Sequence, residues 1–231
     1  MKIRIWRREQ WLLRALVLCL MIVPVMAYGQ DSAPMETASA EADVQKWVEI
    51  FEDPERWNWQ GGIHILGLMA IEYGDTVADI GAGTGYFVRY LAPAVGDDGT
   101  VYAVDINPAF LDHITSRIDY PNSDRVFPIL AAPDDPQLPA GEIDAALILN
   151  TWHHIDNRVA YAEKLKESMS RSGRVVVVDW RAESLPLGPP IEEKVSRETV
   201  IQEFEKAGWR LVTDSTILQY QYLLSFYPDR S

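Results

Sequence analysis

Asp79, Gly81, Gly83 and Gly85 stand within one run, Val77-Ala78-Asp79-Ile80-Gly81-Ala82-Gly83-Thr84-Gly85-Tyr86-Phe87. A short β-forming stretch ends at a carboxylate, and three glycines follow at alternate positions. Such glycines admit positive φ and let a ligand lie against the backbone with no Cβ between them. The spacing restricts what that ligand is. A dinucleotide fingerprint needs its third glycine where Tyr86 stands, and a P-loop ends in Gly-Lys-Ser/Thr, which is missing here. An acid ahead of the turn suits a cationic amine and no phosphate. Thr84 is placed to cap a helix opening at Tyr86.

A second acid, Asp105, ends the next apolar run, Thr100 to Val104. That is about the spacing at which a carboxylate meets the ribose hydroxyls in nucleoside-binding folds, and a carboxylate accepts both hydroxyls at once. Further on, Asn150-Thr151-Trp152-His153-His154 follows a strand, Ile143 to Leu149, that is apolar but for Asp144. In an open α/β sheet that position is the mouth of the ligand crevice. An imidazole there can orient a substrate or take its proton. Adjacent histidines opening a helix do not face one point easily, so no metal site is expected. His153 is the candidate catalytic residue, with Asp156 or Asp179 behind it, and Asn150 joins the cofactor-binding set. His64, on an apolar helix, reads as a buried structural histidine. Trp57, Trp59 and Gln60 fit either a lid over the ligand or packing between helices.

These residues need a scaffold of strand ends, and the chain supplies one. Apolar positions Val44, Trp47, Val48 and Phe51 mark an amphipathic helix from Asp43, and a second helix is expected over Ile63 to Ile71. After the glycine turn come a helix from Tyr86 to Ala94, the strand ending at Asp105, and a helix at Pro108 capped by Asn107. A third strand spans Arg125 to Leu130, and strand four is followed by a helix from about Asn157 to Ser170. Gly173 is expected to break that helix ahead of a buried strand at Arg174 to Val178. Ser196 caps a last helix with Gly208 at its end, and Trp209 to Leu218 and Tyr220 to Phe226 read as the final strands. The alternation of strand and helix specifies an α/β fold with a doubly wound, mostly parallel seven-stranded sheet and an antiparallel last strand.

The first 29 residues differ in kind from the rest. Lys2, Arg4, Arg7, Arg8 and Arg14 precede an apolar run from Ala15 to Val23, then Pro24 and the small-residue boundary Ala27-Tyr28-Gly29. This is the pattern of a secretory signal peptide, too short for a comfortable membrane span. The expected organisation is therefore a signal over 1–29, an Ala/Ser/Glu/Pro-rich leader over 30–42 and one domain over 43–231, with 43–74 as its helical cap. The protein is expected outside the cytoplasm, in the periplasm, touching membrane only through the signal segment, with an uncleaved inner-membrane anchor as the alternative. Cys19 is the one cysteine, so the domain itself holds no thiol chemistry or disulfide. Five of the 21 basic and one of the 34 acidic residues lie in the signal, leaving a net charge of −17. A domain that acidic is ill suited to nucleic acid or anionic lipid surfaces. Nothing in the sequence reads on oligomeric state.

The acid followed by G-x-G-x-G resembles motif I of the class I S-adenosylmethionine (SAM) methyltransferases. The resemblance extends from about Arg56 to Tyr227 and includes Trp59-Gln60, Asn150 to Asp156, Gly188-Pro189-Pro190 and Gln219-Tyr220-Gln221-Tyr222 with Phe226. It implies the Rossmann-like fold and SAM as cofactor, bound by Asp79, Gly81, Gly83, Gly85 and Asp105. It also implies an acid after strand three that accepts from the adenine amino group, for which Asp134 is the candidate. The activity implied is in-line methyl transfer to a small-molecule or lipid-like acceptor. An exported SAM- or nucleoside-binding protein without catalysis is the alternative reading.

Overall fold

The computed structural model describes residues 44–117 and 119–231, so the signal and leader expected over 1–42 lie outside the described residues. Residues 44–51 form helix α1. Helix α2 (Arg56–Trp59) and helix α3 (Gly62–Met69) follow and lead into β1 (Thr76–Ile80). Then come α4 (Val88–Val95), β2 (Thr100–Asp105), α5 (Pro108–Ser116), β3 (Val126–Leu130) and β4 (Ile143–Leu149). The chain closes with α6 (Arg158–Ser168), β5 (Met169–Trp180), α7 (Arg197–Lys206), β6 (Trp209–Ser215) and β7 (Gln221–Pro228).

All seven strands form one sheet in the order β3-β2-β1-β4-β5-β7-β6. The pairs from β3 through β5 are parallel, as the β-α alternation requires. β7 pairs antiparallel with both β5 and β6. The last strand thus enters between its predecessors, leaving β6 at the edge. β1 and β4 are hydrogen-bonded neighbours, so the strand order reverses between them. The carboxyl ends of these two strands part there and leave a crevice.

Helices cover both faces. Ile65, Met69, Phe87 and Leu91 pack on one side of the sheet. Trp152, Leu165, Phe204 and Tyr222 pack on the other. A strand covered on both faces is apolar along its covered length, which accounts for the run Ala145 to Leu149 in β4; Asp144, near the strand's start, accepts from the Thr76 N–H and the Ser170 hydroxyl. At about 25 cal/mol per Å², each such fully buried side chain is worth roughly 1.5–3 kcal/mol against exposure.

Two helix ends behave as their residues dictate. Asn107 accepts the Ala109 N–H at 3.0 Å, and the Ser196 hydroxyl accepts the Thr199 N–H at 3.1 Å. Gly208, at φ +78°, follows Ala207, which caps the end of α7. Gly173 departs from expectation. It lies inside β5, which starts directly after α6, and a register shift against β4 between Ile143 and Ala145 absorbs the extra residues. A Cβ on Gly173 would stand 2.5 Å from the Ile143 carbonyl oxygen, so the small residue serves a close backbone approach. His64 also departs: it is exposed, because α3 buries Ile65 and Met69 and turns that position outward.

Candidate functional site

A cavity of about 510 Å³ opens at the crevice between β1 and β4. The glycine turn forms its floor, and Gly81, Gly83 and Gly85 take φ of +72°, +54° and +80°. At Gly81 a Cβ would also drive into the Thr151 side chain, so glycine is demanded twice there. Thr84 does not cap a helix. Helix α4 starts later, after Phe87, without a side-chain cap. The Thr84 hydroxyl is instead buried at the cavity with no hydrogen-bond partner among the described residues. An orphaned hydroxyl beside a bare backbone turn is what a missing ligand would satisfy.

Asp79 and Asp105 both line this cavity. Asp105 Oδ2 accepts the Gly83 N–H at 2.8 Å, and Oδ1 accepts the Asn107 N–H at 2.9 Å. The carboxylate is therefore locked in orientation, with a second lone pair on each oxygen left over. Burial holds its protonation above the ordinary carboxylate range, against the pull of those backbone donors. Asp79 is pushed up to about 7 by burial, partly countered by Arg56. Arg56 is itself buried and lowered to about 10 by desolvation. It donates to Gln60 Oε1 and to the Phe51 carbonyl, both at 2.6 Å, and lies 4.4 Å over the Tyr86 ring. Two buried acids at one opening favour a cationic ligand there.

The aromatic wall comes from an unexpected place. Trp47 and Phe51 of α1 line the cavity, with rings stacked at 4.9 Å. Trp57 packs on Tyr90 at 4.2 Å and Trp59 on Trp180 at 5.9 Å, so both serve packing between elements. Glu52 pairs with Arg117 at 2.6 Å and Arg89 at 3.5 Å, tying the end of α1 to the elements around the glycine turn.

At the opposite wall, Asn150 takes φ +54° and donates its N–H to the Val178 carbonyl at 2.8 Å. Asn is one of the few side chains that enters this region readily. Asn150 and His154 line the cavity, whereas His153, the histidine expected to face it, does not. His153 is turned into the fold, where its Nδ1–H donates to Asp179 at 2.8 Å and its backbone N–H donates to the same carboxylate at 3.1 Å. The two residues share a 3₁₀ turn, and their rings lie 4.0 Å apart, with Asp179 holding the inner one and His154 left at the cavity. Partial desolvation at the cavity, then His153, lowers the His154 imidazole below its ordinary value, which favours its neutral form. Asp134 is a further correction. It is exposed and pairs with Lys164 at 3.4 Å, while Ala131, Ala132 and Pro133 line the cavity. The isolated bridge from Ala132 to Asp135 turns the chain outward before Asp134 can reach inward.

Several contributors were beyond sequence reasoning. Arg56 sat in an aromatic loop with no motif, and α1 showed only a core-type apolar stripe. The one available signal was the aromatic character of that stripe at Trp47 and Phe51.

Residues 78–175, from β1 into β5, match a family model described as a methyltransferase domain. No curated protein is matched by the sequence. Among solved structures, a SAM-dependent methyltransferase from Aquifex aeolicus is 24% identical, with a TM-score of 0.73, covering 80% of this chain and 97% of its own. A TehB-like SAM-dependent methyltransferase from Corynebacterium glutamicum is 14% identical with a TM-score of 0.61, covering 84% and 99%. Geranyl diphosphate C-methyltransferase from Streptomyces coelicolor, solved with Mg2+, geranyl diphosphate and S-adenosylhomocysteine (SAH), is 15% identical with a TM-score of 0.60, covering 79% and 83%. At these identities the structures speak to fold. Residues 78–175, which hold the glycine turn, are thus similar to a methyltransferase domain, and the seven-strand fold is one that this chain shares with solved SAM-dependent methyltransferases.

Proposed function

We propose that this protein transfers a methyl group from SAM to a small-molecule acceptor outside the cytoplasm. The observation that carries the reading is a pair of buried carboxylates, Asp79 and Asp105, set around a glycine turn in one cavity. Asp105 would hold the ribose hydroxyls with its free lone pairs, and Asp79 the cationic amino group. Ile106, Phe110, Ala131 and Pro133 offer an apolar slot for adenine. The orphaned Thr84 hydroxyl would gain its partner from the same ligand.

SAM supplies an already activated methyl, displaced in line as the electron pair returns to sulfur. The protein's share is alignment and exclusion of water. Trp47 and Phe51 supply the apolar wall for that task. Where the acceptor carries a proton, neutral His154 takes it at a ring nitrogen. His153, tied to Asp179, holds the turn that presents His154. We read the first 29 residues as the export signal, which places an acceptor of small or lipid-like type in the periplasm.

Calorimetric titration of SAM and SAH into the chain from Gln30 tests the cofactor assignment, with NAD as the negative ligand. Binding in the micromolar range is expected. Asp105→Ala should weaken it by about a hundredfold, the scale of two hydrogen bonds to a charged group. Absence of SAM and SAH binding by the folded wild type would overturn the proposal.

A further inference from the structure

Two fully buried glutamines link the far wall of the cavity to Arg56, and their hydrogen bonds run in one direction only. Arg56 Nε–H donates to Gln60 Oε1 at 2.6 Å, and Gln60 Nε2–H donates to Gln221 Oε1 at 3.1 Å. Gln221 Nε2–H donates to Asn150 Oδ1. Gln60 and Gln221 are 0% and 1% exposed.

Amide orientation is ordinarily ambiguous, because oxygen and nitrogen look alike. Here the head of the chain removes the ambiguity. A guanidinium only donates, so Gln60 must turn its oxygen to Arg56 and its NH2 to Gln221. Gln221 must in turn give its NH2 to Asn150. Flipping either buried glutamine sets two oxygens or two NH2 groups against each other away from solvent, at about 1–3 kcal/mol for each unsatisfied group. The consequence falls on Asn150. Its oxygen is taken, and its NH2 donates to nothing among the described residues while the side chain lines the cavity.

We propose that Arg56, Gln60 and Gln221 are positioning residues that fix Asn150 as a donor-only contact for a carboxylate at the β4 wall of the cavity. The proposal rests on the cofactor reading above. It also gives Trp59-Gln60 and Gln219-Tyr220-Gln221-Tyr222 a joint task, since these distant segments supply the two relay amides. A ligand whose ribose meets Asp105 at the end of β2 and crosses the end of β1 arrives at β4 with its amino-acid end. The carboxylate is thus that of the cofactor or one carried by the acceptor.

The full-length chain is titrated with SAH, with 5′-methylthioadenosine, which lacks the amino-acid end, and with benzoate added to SAH-saturated protein. Wild type is compared with Gln221→Met, which keeps the volume and cuts the relay, and with Asn150→Asp, at the cavity wall, which removes the donor. About tenfold weaker SAH binding with 5′-methylthioadenosine unchanged is the expected result and identifies the cofactor carboxylate. Unchanged nucleosides with weakened benzoate also support the relay and place the carboxylate on the acceptor. Equal weakening of SAH and 5′-methylthioadenosine, or no change in any ligand, overturns it, since a general distortion or plain packing would do that. Failure of the wild type to bind either nucleoside sinks the cofactor reading and this one together; binding without discrimination sinks this one alone.

Discussion

The two walls of the cavity are built in opposite ways. On the β1–β2 side, Asp79, the three glycines and Asp105 lie within 27 consecutive residues, and each functional group sits on its strand end or turn. On the β4–β5–β7 side, Asn150 follows β4, Asp179 lies in β5 and Gln221 in β7, and Gln60 caps the end of a helix far upstream in sequence. The first wall is local: its geometry follows from backbone conformations that the residue types themselves prefer. The second wall is relational, and each side chain's direction depends on a partner from another element. Local walls should therefore break through strain and charge, relational ones through lost partners.

The largest effect is expected at Gly81. Gly81→Ala forces a Cβ onto φ +72° and into Thr151. The left-handed conformation costs roughly 1–2 kcal/mol and overpacking roughly 1–3 more, so a loss of about 3 kcal/mol in denaturant unfolding is expected. A loss under about 0.5 kcal/mol, the range of neutral surface changes, would show that the turn yields more easily than a locally specified wall should.

Next comes pH. Burial raises Asp79 to about 7, above its unfolded value. For an acid raised in this way, the folded state binds the proton more readily. Its stabilising share is fully present below the unfolded value near 4 and is lost as pH rises through about 7. A cationic ligand favours the ionised form, so SAM affinity should fall as pH drops below about 7, approaching tenfold per unit at the limit. Titration in two buffers of different ionisation enthalpy should show protons released on binding at pH 6. A flat affinity from pH 8 to 5.5 would remove Asp79 from the ligand's charged end.

The smallest effects separate the two histidines. His153→Ala leaves Asp179 buried with one donor fewer, and should cost about 1–3 kcal/mol in thermal or urea unfolding. His154→Ala touches an exposed side chain and should stay within about 0.5 kcal/mol. The reverse ranking would contradict the inward and outward assignment.

Asp134 and His153 show where reading residues in order stops. Both follow a strand's carboxyl end, as Asp105 does, and sequence spacing cannot separate the three. Asp105 stays at the cavity because the Asn107 amide, two residues on, and the Gly83 amide of the glycine turn hold it there. Asp134 is carried outward by a turn, and His153 is drawn inward by Asp179, 26 residues away. Thr84 failed as a cap for a related reason: the turn runs on to Phe87 before α4 opens, and the hydroxyl is left facing the cavity.

The sequence by itself determined the strand-and-helix alternation, the caps at Asn107 and Ser196, and the acid-glycine wall. These depend on neighbours in the chain, and short-range sterics and hydrogen bonds act whatever the rest of the fold does. Only the tertiary structure decided that β7 enters between β5 and β6, that α1 walls the cavity, that His154 rather than His153 faces it, and that buried amides aim Asn150. Those outcomes depend on which surfaces bury one another and which charge finds which partner across the sheet, and neither is written in the spacing of residues along one segment.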